Sequence, residues 1–158
     1  MIYSTIYTHD GELSNLLAKA KFEKFTDVTR QKIFEVATNY ESFQTNMPQF
    51  FPSIRVVSVR PNTTLAEEHL KLAGKELLVM AKHVTEEPAI HETFFVGGDA
   101  KGTHITEEYE QTPKGTRILV TVDFKSKGPM GFTRIFGGGK FEEEFSRIMD
   151  EIILIAES

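Results

Sequence analysis

FEEEFSRIMDEIILIA, residues Phe141 to Ala156, is the stretch of sequence that decides the fold. Its apolar residues recur every three or four positions, as on one face of a helix. They are Phe141, Phe145, Ile148, Met149, Ile152, Ile155 and Ala156. At about 1.5 Å of rise per residue, the predicted amphipathic helix is roughly 24 Å long, which is enough to lie across a small sheet.

The chain before this helix is typical of the sheet that would receive it. Six strand-like segments follow Pro52, and the residues between them are typical of turns. The predicted strands are Ile54 to Arg60, Thr63 to Ala73, Lys75 to Thr85, Ala89 to Gly97, Thr103 to Thr112 and Thr116 to Lys125. Connections this short place neighbouring strands antiparallel, so we expect a six-strand meander.

Residues 21–52 predict one more strand and two short helices. Lys21 to Val28 is strand-like, with a break in its alternation that predicts a bulge. Thr29 is the predicted N-cap of a helix of about ten residues, and a second short helix is expected to end near Met47. We expect the extra strand at an edge of the meander. Residues 1–20 are predicted to be an N-terminal appendage, and residues 21–158 a single ligand-binding domain.

Composition argues against several classes of function. The chain has no cysteine, so it lacks disulfides, thiolate metal sites and a cysteine nucleophile, and we expect a cytoplasmic location. A net charge of −5 without a clustered basic face argues against a nucleic-acid partner. Stable membrane insertion is not expected either. Thirteen phenylalanines suit a large apolar pocket, although a plain core would use them equally well.

The order of the predicted elements resembles the helix-grip fold. That fold is shared by StAR-related lipid-transfer domains, birch-pollen-allergen-like proteins and the polyketide cyclase and coenzyme-Q-binding group. The motifs similar to the last group are Phe34-Glu35-Val36, Tyr40-Glu41-Ser42-Phe43, Met47-Pro48, Val56-Val57-Ser58-Val59 and Gly115-Thr116-Arg117. The resemblance spans about residues 21–156. It implies an α+β fold in which a seven-stranded antiparallel sheet, in the order β-α-α-β6-α, wraps around the long C-terminal helix.

The turns of the meander also predict its register, starting from the turn at Pro113 and Lys114. The predicted pairs are Tyr109 with Ile118, Glu107 with Val120, Glu107 with Glu92, Ile105 with Phe94, Ala81 with Glu92 and His83 with Ile90. A one-residue slip, or a bulge at a glycine-rich turn, would bring His91, Thr93 and Phe95 to the inner face instead.

This register predicts a concave face with both apolar and polar side chains. The apolar members are Leu70, Leu72, Leu77, Val79, Ala81, Ile90, Phe94, Val96, Ile105, Ile118, Val120, Val122 and Phe124. The polar members are Glu68, His83, Glu92, Glu107 and Tyr109. Buried polar groups are costly unless they are paired, solvated in a cavity or functional.

Four of these polar residues are candidates for catalysis. Glu92 and Glu107 would form a carboxylate pair suited to acid–base work, with His83 or Tyr109 relaying a proton. The alternatives are that the two carboxylates lie at a wet end of the sheet, that Tyr109 anchors a ligand oxygen, and that His83 bonds locally. No nucleophile with an adjacent base is evident.

Neither a metal nor a cofactor is expected. His91-Glu92 begins like the H-E-x-x-H zinc motif, but Phe95 replaces the second histidine, and the motif needs a helix. The glycine-rich segments Gly97 to Gly102 and Gly137 to Lys140 lack the phosphate-loop pattern.

The three glycines Gly137, Gly138 and Gly139 are a candidate gate. Beside them, Phe132, Ile135 and Phe136 could swing as a flap over a pocket mouth, because glycine absorbs large changes in backbone angle. The alternative is a helix kink or stop.

Three functions follow from this interpretation. The first is the binding or transport of a hydrophobic small molecule (a lipid, an isoprenoid or a polyketide-like compound) between the sheet and the C-terminal helix. Its expected lining is Phe94, Tyr109, Phe141, Phe145 and Met149, with Glu68, His83, Glu92 and Glu107 as polar ligand-binding residues. The second is a cyclase or dehydratase-like enzyme without a redox cofactor. The third is a module whose helix–sheet groove docks a protein partner.

Overall fold

The computed structural model describes residues 2–6, 17–125 and 140–158, with side chains for residues 20–124 and 140–158. The strands are β1 (Ile2–Ile6), β2 (Leu17–Thr26), β3 (Ser53–Arg60), β4 (Thr63–Leu72), β5 (Lys75–Glu86), β6 (Ile90–Gly98), β7 (His104–Thr112) and β8 (Gly115–Lys125). The helices are α1 (Arg30–Ala37), α2 (Phe43–Asn46) and α3 (Lys140–Glu157), and a 3₁₀ turn, Tyr40–Ser42, precedes α2.

All eight described strands form one antiparallel sheet in the order β1-β2-β8-β7-β6-β5-β4-β3. This confirms the meander and places the first predicted strand, β2, beside β8 as expected. β1 adds an eighth strand outside β2, with Ile2 opposite Phe22. β2 begins at Leu17, so the predicted domain boundary at residue 20 falls inside a strand. The bulge predicted in this strand is wrong, because the β2–β8 register is continuous.

The C-terminal helix is confirmed as α3, one residue longer at each end than predicted. At its start, Glu144 Oε1 accepts a hydrogen bond of 2.9 Å from the backbone N–H of Ala73, between β4 and β5. At its end, Glu157 accepts a hydrogen bond of 3.0 Å from the hydroxyl of Thr26 on β2. These two contacts hold α3 across the sheet. No helix in the described part of the chain is both long and apolar enough to cross a membrane.

Thr29 caps α1 as the sequence predicts, because its hydroxyl accepts a hydrogen bond of 3.3 Å from the backbone N–H of Lys32. The cap satisfies one of the free donors at the helix start. The predicted gate (Gly137, Gly138 and Gly139) and the predicted flap residues (Phe132, Ile135 and Phe136) lie outside the described residues.

A bulge between β5 and β6 changes which side of β6 faces the helix. Met80 lies opposite Gly97 but Ala81 lies opposite Phe95, so Val96 is an extra residue on β6. One extra residue reverses the faces on one side of the bulge relative to the other, because side chains alternate with a period of two. Ile90, Phe94 and Val96 are therefore absent from the concave face on which they were predicted.

The predicted register is correct on one side of β7 and wrong on the other. Tyr109 lies opposite Ile118 and Glu107 opposite Val120, as the Pro113-Lys114 turn predicts. Across β6 the prediction is wrong by one residue in the pairs with β7 and by three residues in the pairs with β5. The corrected pairs are Ala81 with Phe95, His83 with Thr93, Ile105 with Thr93 and Glu107 with His91.

Gly98, next to this bulge, is expected to resist substitution by alanine. Its φ is +80°, and an added Cβ would lie 2.3 Å from the carbonyl oxygen of Leu78. Gly74 is a matched control, since its φ is +76° but an added Cβ would meet nothing within 4 Å. We expect Gly98→Ala to lower the free energy of unfolding by about 1–3 kcal/mol more than Gly74→Ala, because only Gly98 adds a clash to backbone strain. Urea unfolding measures both values, and equal losses would contradict this close approach of β6 to β5.

Candidate functional site

Five buried polar side chains from four neighbouring strands form a continuous row, which we call the polar chain. Its members are Tyr109 and Glu107 on β7, His91 on β6, His83 on β5 and Glu68 on β4. Each side chain is at most 6% exposed. The Tyr109 hydroxyl donates to Glu107 Oε1 at 2.5 Å, and the other Glu107 oxygen lies 3.0 Å from His91 Nδ1. His91 Nε2 is 3.0 Å from His83 Nδ1, and His83 Nε2 is 2.6 Å from Glu68 Oε2.

The contact between His91 and Glu107 is short but poorly directed for a hydrogen bond. The two atoms are 3.0 Å apart, yet His91 Nδ1 does not meet the angular requirement for a hydrogen bond and has no other partner. Coulomb attraction depends on distance and not on this angle. A hydrogen on His91 Nδ1 therefore still attracts the Glu107 carboxylate, although it is poorly aligned with it.

The imidazole rings are held from two sides. The Tyr40 ring stacks on His83 with centroids 3.9 Å apart and an interplanar angle of 20°. On the sheet, the Thr93 hydroxyl lies 3.2 Å from His83 Nδ1 and 3.4 Å from His91 Nε2. Phe34 of α1 packs edge-on against Tyr109 at 5.4 Å. These contacts hold the side chains of the polar chain in place, where little water reaches them.

The environment of Glu107 favours its charged form. Burial alone would raise the pKa of this carboxyl, but His91, the Tyr109 hydroxyl and His83 outweigh burial and hold the pKa below its ordinary value. Glu107 is therefore the anion to which His91 and Tyr109 point.

Both tyrosines around the polar chain are held in the neutral form. Burial, followed by the negative charge of Glu107, raises the pKa of Tyr109 and of Tyr40 above the ordinary tyrosine value. The Tyr109 hydroxyl therefore stays a hydrogen-bond donor over the whole physiological pH range.

The polar chain forms one wall of a cavity of about 40 Å³ beneath α3. Its polar lining residues are Glu68, His83, His91, Thr93 and Glu107. The apolar lining residues are Ala37, Phe43, Phe51, Leu70, Leu72, Phe95, Ile105, Phe141, Phe145, Ile148 and Ile152. This volume has room for no more than a few waters. The phenylalanine rings thus leave little space between the sheet and the helix.

The structure brings together most of the residues that the sequence proposes for the site. Glu68, His83, Glu107 and Tyr109 join in the polar chain, and Phe141 and Phe145 line the cavity. Tyr109 and Met149 are buried but are not part of the lining, which corrects their predicted positions.

Glu92 and Phe94 lie on the opposite face of the sheet, which corrects their predicted positions. Glu92 pairs with His104 at 2.9 Å, and the Phe94 ring stacks on His104 with centroids 4.2 Å apart. The reason is the bulge at Val96, which turns the intervening side chains inward instead. The predicted carboxylate pair of Glu92 and Glu107 is therefore wrong.

The site also contains three residues that the preferred register did not place there. His91 and Thr93 enter through the one-residue slip, and Tyr40 stacks from the turn before α2. The signal for the first two was their alternation with Phe95 on β6, since every second residue shares a face. Tyr40 carried no such signal, because its position depends on how the helical segment folds over the sheet.

Metal binding finds no support within residues 20–124 and 140–158, where no group of three or more potential ligands is arranged to hold an ion. The histidine nitrogens of the polar chain face one another or a carboxylate. Their lone pairs and protons therefore serve the polar chain itself.

Several solved structures resemble this chain in fold but not in sequence. No protein-family model and no curated protein matches the chain. An aromatase/cyclase from a Streptomyces species superposes with a TM-score of 0.73 at 11% identity, covering 89% of this chain and 94% of its own. A major latex-like protein from Panax ginseng gives 0.73 at 9%, covering 89% and 98%. A START superfamily protein from Mycobacterium smegmatis gives 0.70 at 11%, covering 90% and 97%.

Identities this low establish the architecture alone, since proteins of one fold perform many functions. The features of this chain that define the fold are the antiparallel sheet, the short helices after β2 and the long C-terminal helix. The chain therefore has the helix-grip fold.

Proposed function

We propose that the protein binds or transports a hydrophobic small molecule, of the lipid, isoprenoid or polyketide-like class, between the sheet and α3. The observation that supports this function is the cavity, because its walls are mostly apolar and its polar groups are gathered on one side. Small-molecule pockets generally combine these two features. The aromatase/cyclase among the solved structures of this fold is consistent with a bound organic molecule.

A ligand requires the cavity to expand. Pockets for small organic ligands measure about 300–1,000 Å³, against the 40 Å³ found here. Two of the lining rings belong to α3, Phe141 and Phe145, which stack with centroids 5.8 Å apart. Phe145 is only partly buried, so its ring can move aside with less loss of packing than the fully enclosed Phe141.

Phe145→Ala is expected to strengthen the binding of an apolar ligand. The substitution supplies in advance the space that the wild-type protein must open, and pre-forming a binding-competent state raises the apparent affinity. With the neutral fluorescent probe N-phenyl-1-naphthylamine, we expect the dissociation constant to fall about tenfold, equivalent to about 1.4 kcal/mol. Fluorescence titration measures this change.

Leu154→Ala is the matched control, since Leu154 lies on the same helix but is 59% exposed. The Leu154→Ala variant should bind the probe with the same affinity as the wild type. If neither the wild type nor Phe145→Ala binds the probe saturably, or if both substitutions change affinity equally, the ligand does not occupy this cavity.

The enzymatic alternative has less support, because Glu92 and Glu107 do not form the proposed carboxylate pair. The binding role does not require a catalysed reaction. His83 and Glu107, which line the cavity, remain proposed as polar contacts for the ligand, and Tyr109 is proposed to position Glu107. The docking of a protein partner has weaker support, because the exposed large apolar side chains are distributed over several elements. They are Phe25, Val57, Val59, Leu78, Val96 and Leu154.

A further inference from the structure

The contacts of the polar chain fix how many protons it holds. Four contacts join the five side chains, and each needs one hydrogen, because two lone pairs at 2.5–3.0 Å would repel. Two neutral histidines and one tyrosine supply three hydrogens between them. The fourth contact therefore requires one additional proton, which an imidazole ring or a carboxyl oxygen of the polar chain carries.

A second additional proton on the rings is excluded by the same geometry. If both rings were protonated, His83 Nδ1 and His91 Nε2 would both carry hydrogens and face each other at 3.0 Å. The polar chain thus contains one additional proton against the two carboxylates of Glu68 and Glu107, on whichever of its members that proton lies. One negative charge remains uncompensated, and no lysine or arginine among the described residues lines the cavity.

The carboxylate oxygens that line the cavity determine which polar groups of a ligand can bind there. An ionised carboxylate accepts hydrogen bonds but donates none. Glu68 uses Oε2 toward His83, and its second oxygen makes no hydrogen bond to any described residue. The pKa of Glu107 is held low mainly by His91, which agrees with an imidazolium beside an ionised carboxylate. The polar wall therefore lacks partners for a ligand anion and has acceptors available for a ligand donor.

We infer that the ligand of this cavity is a neutral, largely apolar molecule with a hydroxyl group that donates to the polar chain, and that carboxylates such as fatty acids are excluded. This inference rests on the proposed function, because it assigns the ligand class of the same cavity. A hydroxyl satisfies a free carboxylate oxygen, whereas a ligand carboxylate adds a second uncompensated charge at low dielectric.

Three bicyclic compounds of similar size test the inference at neutral pH. 2-Naphthol donates a hydrogen bond, 2-methoxynaphthalene only accepts one, and 2-naphthoate is an anion. We expect 2-naphthol to bind about tenfold more tightly than 2-methoxynaphthalene, as for a hydrogen bond to a charged group. We expect 2-naphthoate to bind at least tenfold more weakly than 2-methoxynaphthalene. Calorimetry or displacement of N-phenyl-1-naphthylamine measures the three affinities.

The outcomes separate this inference from the proposed function. Equal affinities for all three compounds, or tightest binding of 2-naphthoate, would overturn the hydroxyl selectivity and leave apolar binding intact. Binding of none of them, together with no binding of the probe, would overturn both. Glu68→Gln should reduce the preference for 2-naphthol and admit 2-naphthoate, since it removes one carboxylate. If that variant does not fold, the wild-type series decides the question alone.

Discussion

Glu107→Ala is expected to lower the free energy of unfolding by about 3–5 kcal/mol, because it removes one partner of a buried ion pair. The substitution leaves the His91 imidazole opposite an empty space and takes the acceptor from the Tyr109 hydroxyl. Both groups would then be buried without a partner, and each would bear its full desolvation cost. Urea unfolding at neutral pH measures the loss.

Glu110→Ala, on the same strand, is the control. Glu110 is exposed and pairs with Arg117 at 3.0 Å on the surface, so its removal should cost at most about 1 kcal/mol. A double-mutant cycle of Glu107→Ala with His91→Ala isolates their interaction and should give a coupling energy of roughly 1–3 kcal/mol. Equal losses for Glu107→Ala and Glu110→Ala would show that the polar chain does not form in solution.

The stability of the protein is expected to fall steeply above about pH 10, where unfolded tyrosines ionise. Tyr40 and Tyr109 keep their protons in the folded protein, since burial and Glu107 raise the pKa of both. The folded state then binds more protons than the unfolded state, so the stability present below pH 10 is lost as pH rises. Each tyrosine contributes about 1.4 kcal/mol of loss per pH unit, or roughly 3 kcal/mol for both by pH 11.

Tyr40→Phe and Tyr109→Phe isolate this contribution, because lysines ionise alike in all the variants. Each substitution should remove about half of the tyrosine-dependent slope measured by urea unfolding between pH 9 and pH 11. Identical alkaline slopes for the wild type and both variants would mean that neither hydroxyl is buried against Glu107.

The sequence alone predicted the parts of the fold that depend on local signals. Turn residues such as those at Pro113-Lys114 defined the meander and placed Tyr109 opposite Ile118. Helical periodicity placed α3 within one residue at each end, and the Thr29 cap placed the start of α1. In these elements the side-chain period and the turn chemistry agree, and that agreement is what makes a local prediction sufficient.

The candidate site was only partly predictable, because it depends on the faces of four strands at once. Glu107 and Tyr109 were assigned correctly to the inner face, since the β7–β8 register matches the prediction. Glu68 and His83 also fell on that face, because the errors of one and of three residues on the two sides of β6 cancel in the alternation. Glu92 was assigned to that face wrongly. The error came from Gly97 and Gly98. Two adjacent glycines indicate a turn, but β6 continues through them and has an extra residue, Val96, just before them.

By itself, then, the sequence determined the order of the elements, the antiparallel meander and the apolar face of α3, all of which follow from periodicity and turns. Only the tertiary structure decided that His91, and not Glu92, meets Glu107, and that the phenylalanines close the cavity to about 40 Å³. The physical reason is that a single bulged residue at Val96 inverts the faces of β6. How far the rings fill the space beneath α3 depends on packing between elements distant in the chain, which no local pattern specifies.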